Sequence, residues 1–184
     1  MNHIQYEEAP FAKFIFGNTK MSWFWLLARV YVGWEWFHAG WTKFAGTGWV
    51  GDGAGNSISG FVKGALAKTT GAHPDVQGWY ATFLENVVLP HASFWSHLVV
   101  YGEILVGAAL ILGIFTGIAA FFGLFMNLNF MLAGALSTNP ILFTLSIGLV
   151  LAWKIAGEFG VDRYLLPALG TYWQPGKLFK PNNI

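Results

Sequence analysis

The stretch LLARVYVGWEWFHAGWTKF, residues 26–44, sets Arg29, Glu35, His38 and Lys43 inside a run apolar enough for a membrane helix. Hydrocarbon solvates charge poorly, so each of these groups needs a partner or a task. At about 100° per residue, Tyr31, Glu35, His38 and Thr42 fall within about 60° of one another, and Arg29, Gly33, Trp36, Gly40 and Lys43 occupy the opposite side. A carboxylate and an imidazole on one stripe can pass protons between mid-membrane and the surface, as a quinone turning over beside them requires. Glu35 and His38 are therefore candidate catalytic residues. Trp36 and Trp41, with Trp34 and Trp95, offer flat apolar walls for a quinone ring.

Glu103, in VVYGEILVG, lies near the midpoint of another run and is a third candidate. A buried charge left unpaired costs on the order of several kcal/mol, and Arg29 is long enough to reach that depth from a neighbouring helix. The sequence predicts an Arg29–Glu103 ion pair, with Gly33, Gly40 and Gly107 letting the two backbones approach. The pair would either fix helix register or place Glu103 beside a redox molecule. Lys43, at its helix end, is expected to snorkel to the headgroups. Together with His91 and His97 it could also contact substrate or quinone near the surface.

Other residues carry less chemistry. His38 and His97 could ligate a haem from two helices, but their spacing is not diagnostic for metal, so haem is disfavoured and no metal site is expected. His73 belongs to a loop, and His3 to the N-terminal tail. Asn127 shares a face with Gly123 and Gly134, which predicts an interhelical hydrogen bond, whereas Asn129 lies among Phe122, Phe125 and Ala133. GDGAGNS lacks the lysine of a phosphate loop and reads as a flexible turn. The chain contains no cysteine, which excludes disulfides and thiolate relays within it.

Helices must position these groups. The 184 residues are 55% hydrophobic and only 10% charged, against about 25% charged in a soluble domain, which points to an integral membrane protein. A net charge of +1 gives no reason to expect nucleic acid. Four continuously apolar runs, at 22–44, 94–115, 117–136 and 141–157, predict an all-α membrane four-helix bundle forming one domain over 1–184. A barrel would alternate instead. Asn139-Pro140 opens the last run, with Thr138 or Asn139 as cap. The N-terminal segment lacks the pattern of a cleaved signal and is expected to be retained.

Within the outer loop, 45–93, two amphipathic patterns predict short helices on the surface or capping the bundle. One carries Ile58, Phe61, Ala65 and Leu66. The other carries Val76, Trp79, Tyr80, Phe83 and Val87, starting at Pro74-Asp75 and stopping before Pro90. Lys13, Lys20, Lys154, Arg163, Lys177 and Lys180 fall on the tail side, and Lys43, Lys63 and Lys68 on the loop side. This bias predicts cytoplasmic tails at 1–21 and 158–184.

YGEILVGAALILGIFTGIAA (101–120), STNP before the fourth run and GVDRYLLP (160–167) together resemble the DoxX/DoxD family of small four-helix bacterial and archaeal membrane proteins. FLENVVLPHASFWSHLVVYGE and the long first loop are closest to its DoxD branch, which is similar to the large subunit of thiosulfate:quinone oxidoreductase. Arg29 with Gly33, the HAGWTKF segment and Glu103 match positions that the family keeps polar. The resemblance implies a multi-pass plasma-membrane subunit of a quinone-linked oxidoreductase. Two thiosulfate anions, or another small reduced donor, would give up two electrons at the outer face, and quinone would leave as quinol. Where relatives carry an acidic residue and a histidine after NP, this chain has Ile141, Leu142, Phe143 and Thr144, so no role of that histidine carries over. With no thiol to relay electrons, either quinone reacts directly or a second subunit holds the redox centre, and a homo-oligomer is the other expectation. The alternative function is a non-catalytic scaffold recruiting a redox or stress-response partner.

Overall fold

Long apolar runs broken only by short turns leave the backbone one economical way to satisfy its hydrogen bonds, which is to coil. The computed structural model describes residues 8–171 and 174–179, so His3 and Lys180 lie outside the described residues. The helices are α1 (Pro10–Gly17), α2 (Ser22–Ala45), α3 (Asn56–Leu66), α4 (Gly78–Phe83), α5 (Ala92–Leu112), α6 (Thr116–Leu132), α7 (Asn139–Leu151), α8 (Trp153–Ala156) and α9 (Asp162–Leu169). A two-residue antiparallel pairing of Gly170–Thr171 with Gln174–Pro175 follows. The all-α expectation holds.

The helices α2, α5, α6 and α7 pack on one another, α2 most extensively on α5 and α6 on α7. Trp25, Val32, Trp36, Leu110, Ala120 and Leu149 form their shared core. The glycine approach is as expected. A Cβ on Gly40 would stand 2.8 Å from the Ile104 amide, and one on Gly107 would run into the Phe37 backbone and the Gly33 carbonyl. Gly33 thus opposes Gly107 and Ile111, while Gly40 opposes Glu103 and Ile104, which sets α2 and α5 antiparallel in a fixed register. Large apolar side chains face outward around the group, Leu27 at 70% exposure and Leu105 at 68% among them. That much exposed hydrocarbon is at home in lipid rather than water.

The loop between α2 and α5 builds a cap, as expected. Ile58, Val62, Val76, Tyr80, Leu84 and Ala133 bury one another beneath it. Lys68 ties the cap to the α6–α7 turn by donating to the Gly134 carbonyl at 2.7 Å. Pro90, however, does not stop the second cap helix. From Gly78 to Leu112 the chain is one continuous helix of 35 residues, with a π turn at Leu84–Val88 and a 3₁₀ turn at Leu89–His91. The widened turn accommodates the proline's missing N–H, so the helix continues.

Among the described residues this 35-residue helix is the one long and apolar enough to cross a membrane by length and composition. At 24 residues α2 is long enough but carries charge, and α6 and α7 are apolar but shorter, at 17 and 13 residues. The fourth run breaks at Ala152, short of the expected end at 157. Parts of both expected tails fold back on the bundle: α1 packs on α8, the Trp25 indole N–H donates to the Ile15 carbonyl at 2.8 Å, and Trp23 and Phe159 rings meet at 4.4 Å.

Candidate functional site

Glu103, 1% exposed, is paired, but not with Arg29. The Lys43 ammonium donates to its two carboxylate oxygens at 2.8 and 2.6 Å. The α2–α5 register explains the change of partner. Gly40 lies against Glu103, so Lys43, three residues on, only has to fold back toward the N-terminus, the direction helical side chains lean. Instead of snorkelling outward, its cation also sits 5.4 Å from the Trp49 ring centroid and 6.0 Å from that of Phe130. Ion pair and aromatic rings together close the end of the bundle beneath the cap.

Arg29 stands at the other end of α5. Its guanidinium donates to the carbonyls of Leu110 at 2.8 Å and Phe159 at 3.1 Å, so a cation lies against a helix C-terminus, where the backbone dipoles favour it. The oppositely charged group acting on it is Asp162, whose carboxylate accepts from the Phe115 and Thr116 amides, both at 2.7 Å. Asp162 thereby caps α6 from a distant part of the chain. Gly113, at φ +68°, has room for no side chain, because a Cβ would collide with the guanidinium. Arg29 is therefore part of a knot that locks the α5–α6 turn. Asp162 lay within the GVDRYLLP motif, yet its capping role spans 46 residues and has no local signal.

The stripe expected to carry protons faces out of the fold. Glu35 is partly buried, and Tyr31, His38 and Thr42 are exposed. His38 stacks on Trp34 with centroids 6.0 Å apart. Trp41 is also exposed, between Phe37 and Phe44, whereas Trp36 is 3% exposed in the core, stacked on Phe130. His97 Nδ1 lies 2.8 Å from the Ser93 carbonyl and His91 Nδ1 3.2 Å from that of Val87. A carbonyl only accepts, so each imidazole is protonated at Nδ1 and leaves Nε2 free. The candidates thus divide among an inner pair, an outer stripe and two separate surface positions. The interhelical bond expected for Asn127 is not formed. Both its amide atoms, and the Trp36 indole N–H, are buried with no hydrogen-bond partner among the described residues.

A groove of about 560 Å³ runs from the cap to the α5–α6 turn, between α5 and α6. Leu98, Val106, Ile118, Phe122, Met126 and Phe130 are among its apolar walls, and no residue of α2 lines it. Its polar edge is at the cap end, where the Tyr80 hydroxyl donates to the Asn129 backbone or side-chain oxygen at 3.0 or 3.1 Å. Sequence reasoning missed both residues as a site. Tyr80 was one member of an amphipathic face and Asn129 one polar group among phenylalanines, and only the fold joins them. Phe130 stands between the groove and the Lys43–Glu103 pair, touching both.

A family model described as DoxX matches residues 24–136, from α2 through α6. No curated protein and no solved structure matches the chain.

Proposed function

The chain belongs to the DoxX family of membrane proteins, and from that premise we propose that it is the membrane subunit of a quinone-linked oxidoreductase, with the α5–α6 groove as its quinone site. The groove carries this reading. Its volume of about 560 Å³ falls in the range of small-molecule sites, and its walls are hydrocarbon and aromatic with a hydroxyl and an amide at one end. That pattern suits a ring with carbonyl oxygens at the cap and an isoprenoid tail along α5 and α6. In this arrangement Tyr80 would turn its O–H from Asn129 to a quinone carbonyl, and Asn129 would orient the hydroxyl. Bound quinone would supply a two-electron, two-proton acceptor. The Lys43–Glu103 pair behind Phe130 is an ionisable partner for those protons. Glu35 and His38, on the outward side of α2, would serve only a quinone bound outside the fold.

The finer form of the reading has α2, α5, α6 and α7 all crossing a plasma membrane with both tails cytoplasmic, and thiosulfate as donor in the DoxD manner. Two thiosulfate anions would join as tetrathionate, releasing the two electrons that quinol formation takes up. The donor rests on the sequence resemblance alone.

Extraction of the purified protein tests the groove. Quinone should co-purify with the native chain and fall away in Ala109→Trp, which fills the groove, while Tyr80→Phe should weaken quinone binding roughly tenfold for one lost hydrogen bond. Thermal melting of each variant separates loss of quinone from loss of fold. A native protein that brings down a stoichiometric protein partner but no quinone would instead favour the scaffold alternative.

A further inference from the structure

We propose that the outward stripe of α2 is a two-fold interface with a second copy of this chain, joined by reciprocal hydrogen bonds between Glu35 of one copy and His38 of the other. This rests on α2 crossing the membrane, and not on the quinone reading. The exterior of the helix group is mostly hydrocarbon, with Leu27, Leu105, Ile118, Phe125 and Leu151 all more than half exposed. Against that background Tyr31, Glu35, His38 and Thr42 form a polar strip along the middle and outer half of α2. Among the described residues Glu35 has no hydrogen bond or ion pair, although it is partly buried. Lipid tails offer a carboxyl nothing, so an unpartnered Glu35 is costly and a partner that donates to it is favoured.

The strip is complementary to itself. Glu35 and His38 lie about 60° apart around the helix and about 4.5 Å apart along it, one on each side of the line through Tyr31 and Thr42. Two parallel copies related by an axis along the membrane normal bring the right flank of one strip against the left flank of the other. Each Glu35 then faces the partner's His38, displaced by an interval that the two side chains can span. The symmetry repeats the contact, and Tyr31 and Thr42, on the central line, meet their own counterparts. Phe24, 50% exposed, continues that line into the inner half of the helix. An acceptor and a donor flanking a symmetry line satisfy each other only in a second copy of the same surface, which favours self-association over an unrelated partner.

The chain has no native cysteine, so a single introduced thiol reports its own neighbours. In native membranes, mild oxidation should couple Thr42→Cys into a disulfide-linked dimer and leave Leu105→Cys, on the outer face of α5, uncoupled. In lipid vesicles the native chain should associate as a dimer by single-molecule photobleaching. Glu35→Gln and His38→Ala should each weaken association roughly tenfold. Glu35→His combined with His38→Glu, which exchanges acceptor and donor while keeping the complementarity, should recover most of it. The recovery separates a broken contact from a misfolded chain. A monomer in vesicles, equal coupling at positions 42 and 105, coupling of position 42 to a different protein, or a double exchange no better than either single change would each overturn the interface.

Discussion

Lys43 and Arg29 show how register, rather than charge alone, assigns partners inside a helix group. Gly33 lies against Gly107 and Ile111, so Arg29, one turn earlier, is carried past Glu103 to the carbonyls that end α5. Lys43 is left as the cation within reach of Glu103, which is almost wholly buried at the contact. Removing one member of such a pair strands the other, so Lys43→Met or Glu103→Gln alone should destabilise the protein by about 3–5 kcal/mol, and Lys43→Met with Glu103→Leu should recover most of that loss. Unfolding in detergent measures both, and Arg29→Met with Glu103→Gln should add without coupling. Stronger coupling of Glu103 to Arg29 than to Lys43 would restore the original pairing. The burial of Arg29 and Glu103 was legible from their place in apolar runs. Their partners were not, because helical phase gives the direction of a side chain but not the depth at which a neighbouring helix meets it.

Among the elements, the α2–α5 contact depends most on single residues. Gly107 lies so close to Phe37 and Gly33 that any side chain must push two backbones apart. Gly107→Ala should cost about 1–3 kcal/mol or more, because backbone cannot move aside as a flexible side chain does. By contrast, Gly60→Ala in the cap meets nothing within 4 Å and should leave the melting temperature within a few degrees or raise it, since glycine is a poor helix former. A larger loss at Gly60 than at Gly107 would contradict the packing. The existence of α2, α5, α6 and α7 was readable from apolar run length, and the glycines pointed to their close approach. The continuity through Pro90 was not readable, because proline ends most helices and only the π turn at Leu84–Val88 explains the exception. Likewise α1 and α9 sat in segments read as tails, and they are held by contacts with α8 and with the α5–α6 turn that no local pattern announces.

For the whole molecule, the ends of the described chain decide how an even number of passes could arise. Both α1 and α8 lie at one end of the helix group, while the cap built from α3 and α4 closes the other. The basic residues are unevenly divided, with Lys13, Lys20, Lys154, Arg163 and Lys177 toward the α1 end and Lys43, Lys63 and Lys68 toward the cap. Basic residues are retained on the cytoplasmic side, so the α1 end should face the cytoplasm and the cap the exterior. The 17 residues of α6 and 13 of α7 reach about 25 and 20 Å, under the roughly 30 Å hydrocarbon core, so the bilayer would have to thin beside them or α8 prolong α7 beyond its break. A membrane-impermeant maleimide distinguishes the arrangements, since the chain has no cysteine of its own. Lys63→Cys on the exposed face of α3 should label in intact cells, and Lys13→Cys on α1 only after permeabilisation. Labelling of position 13 alone from outside would invert the orientation. Labelling of both from one side would mean that α2 does not carry the chain across the membrane. Thr138→Cys, exposed in the turn between α6 and α7, should label from outside with position 63, and its protection would mean that α6 and α7 do not cross and that their apolar surfaces rest within a single leaflet.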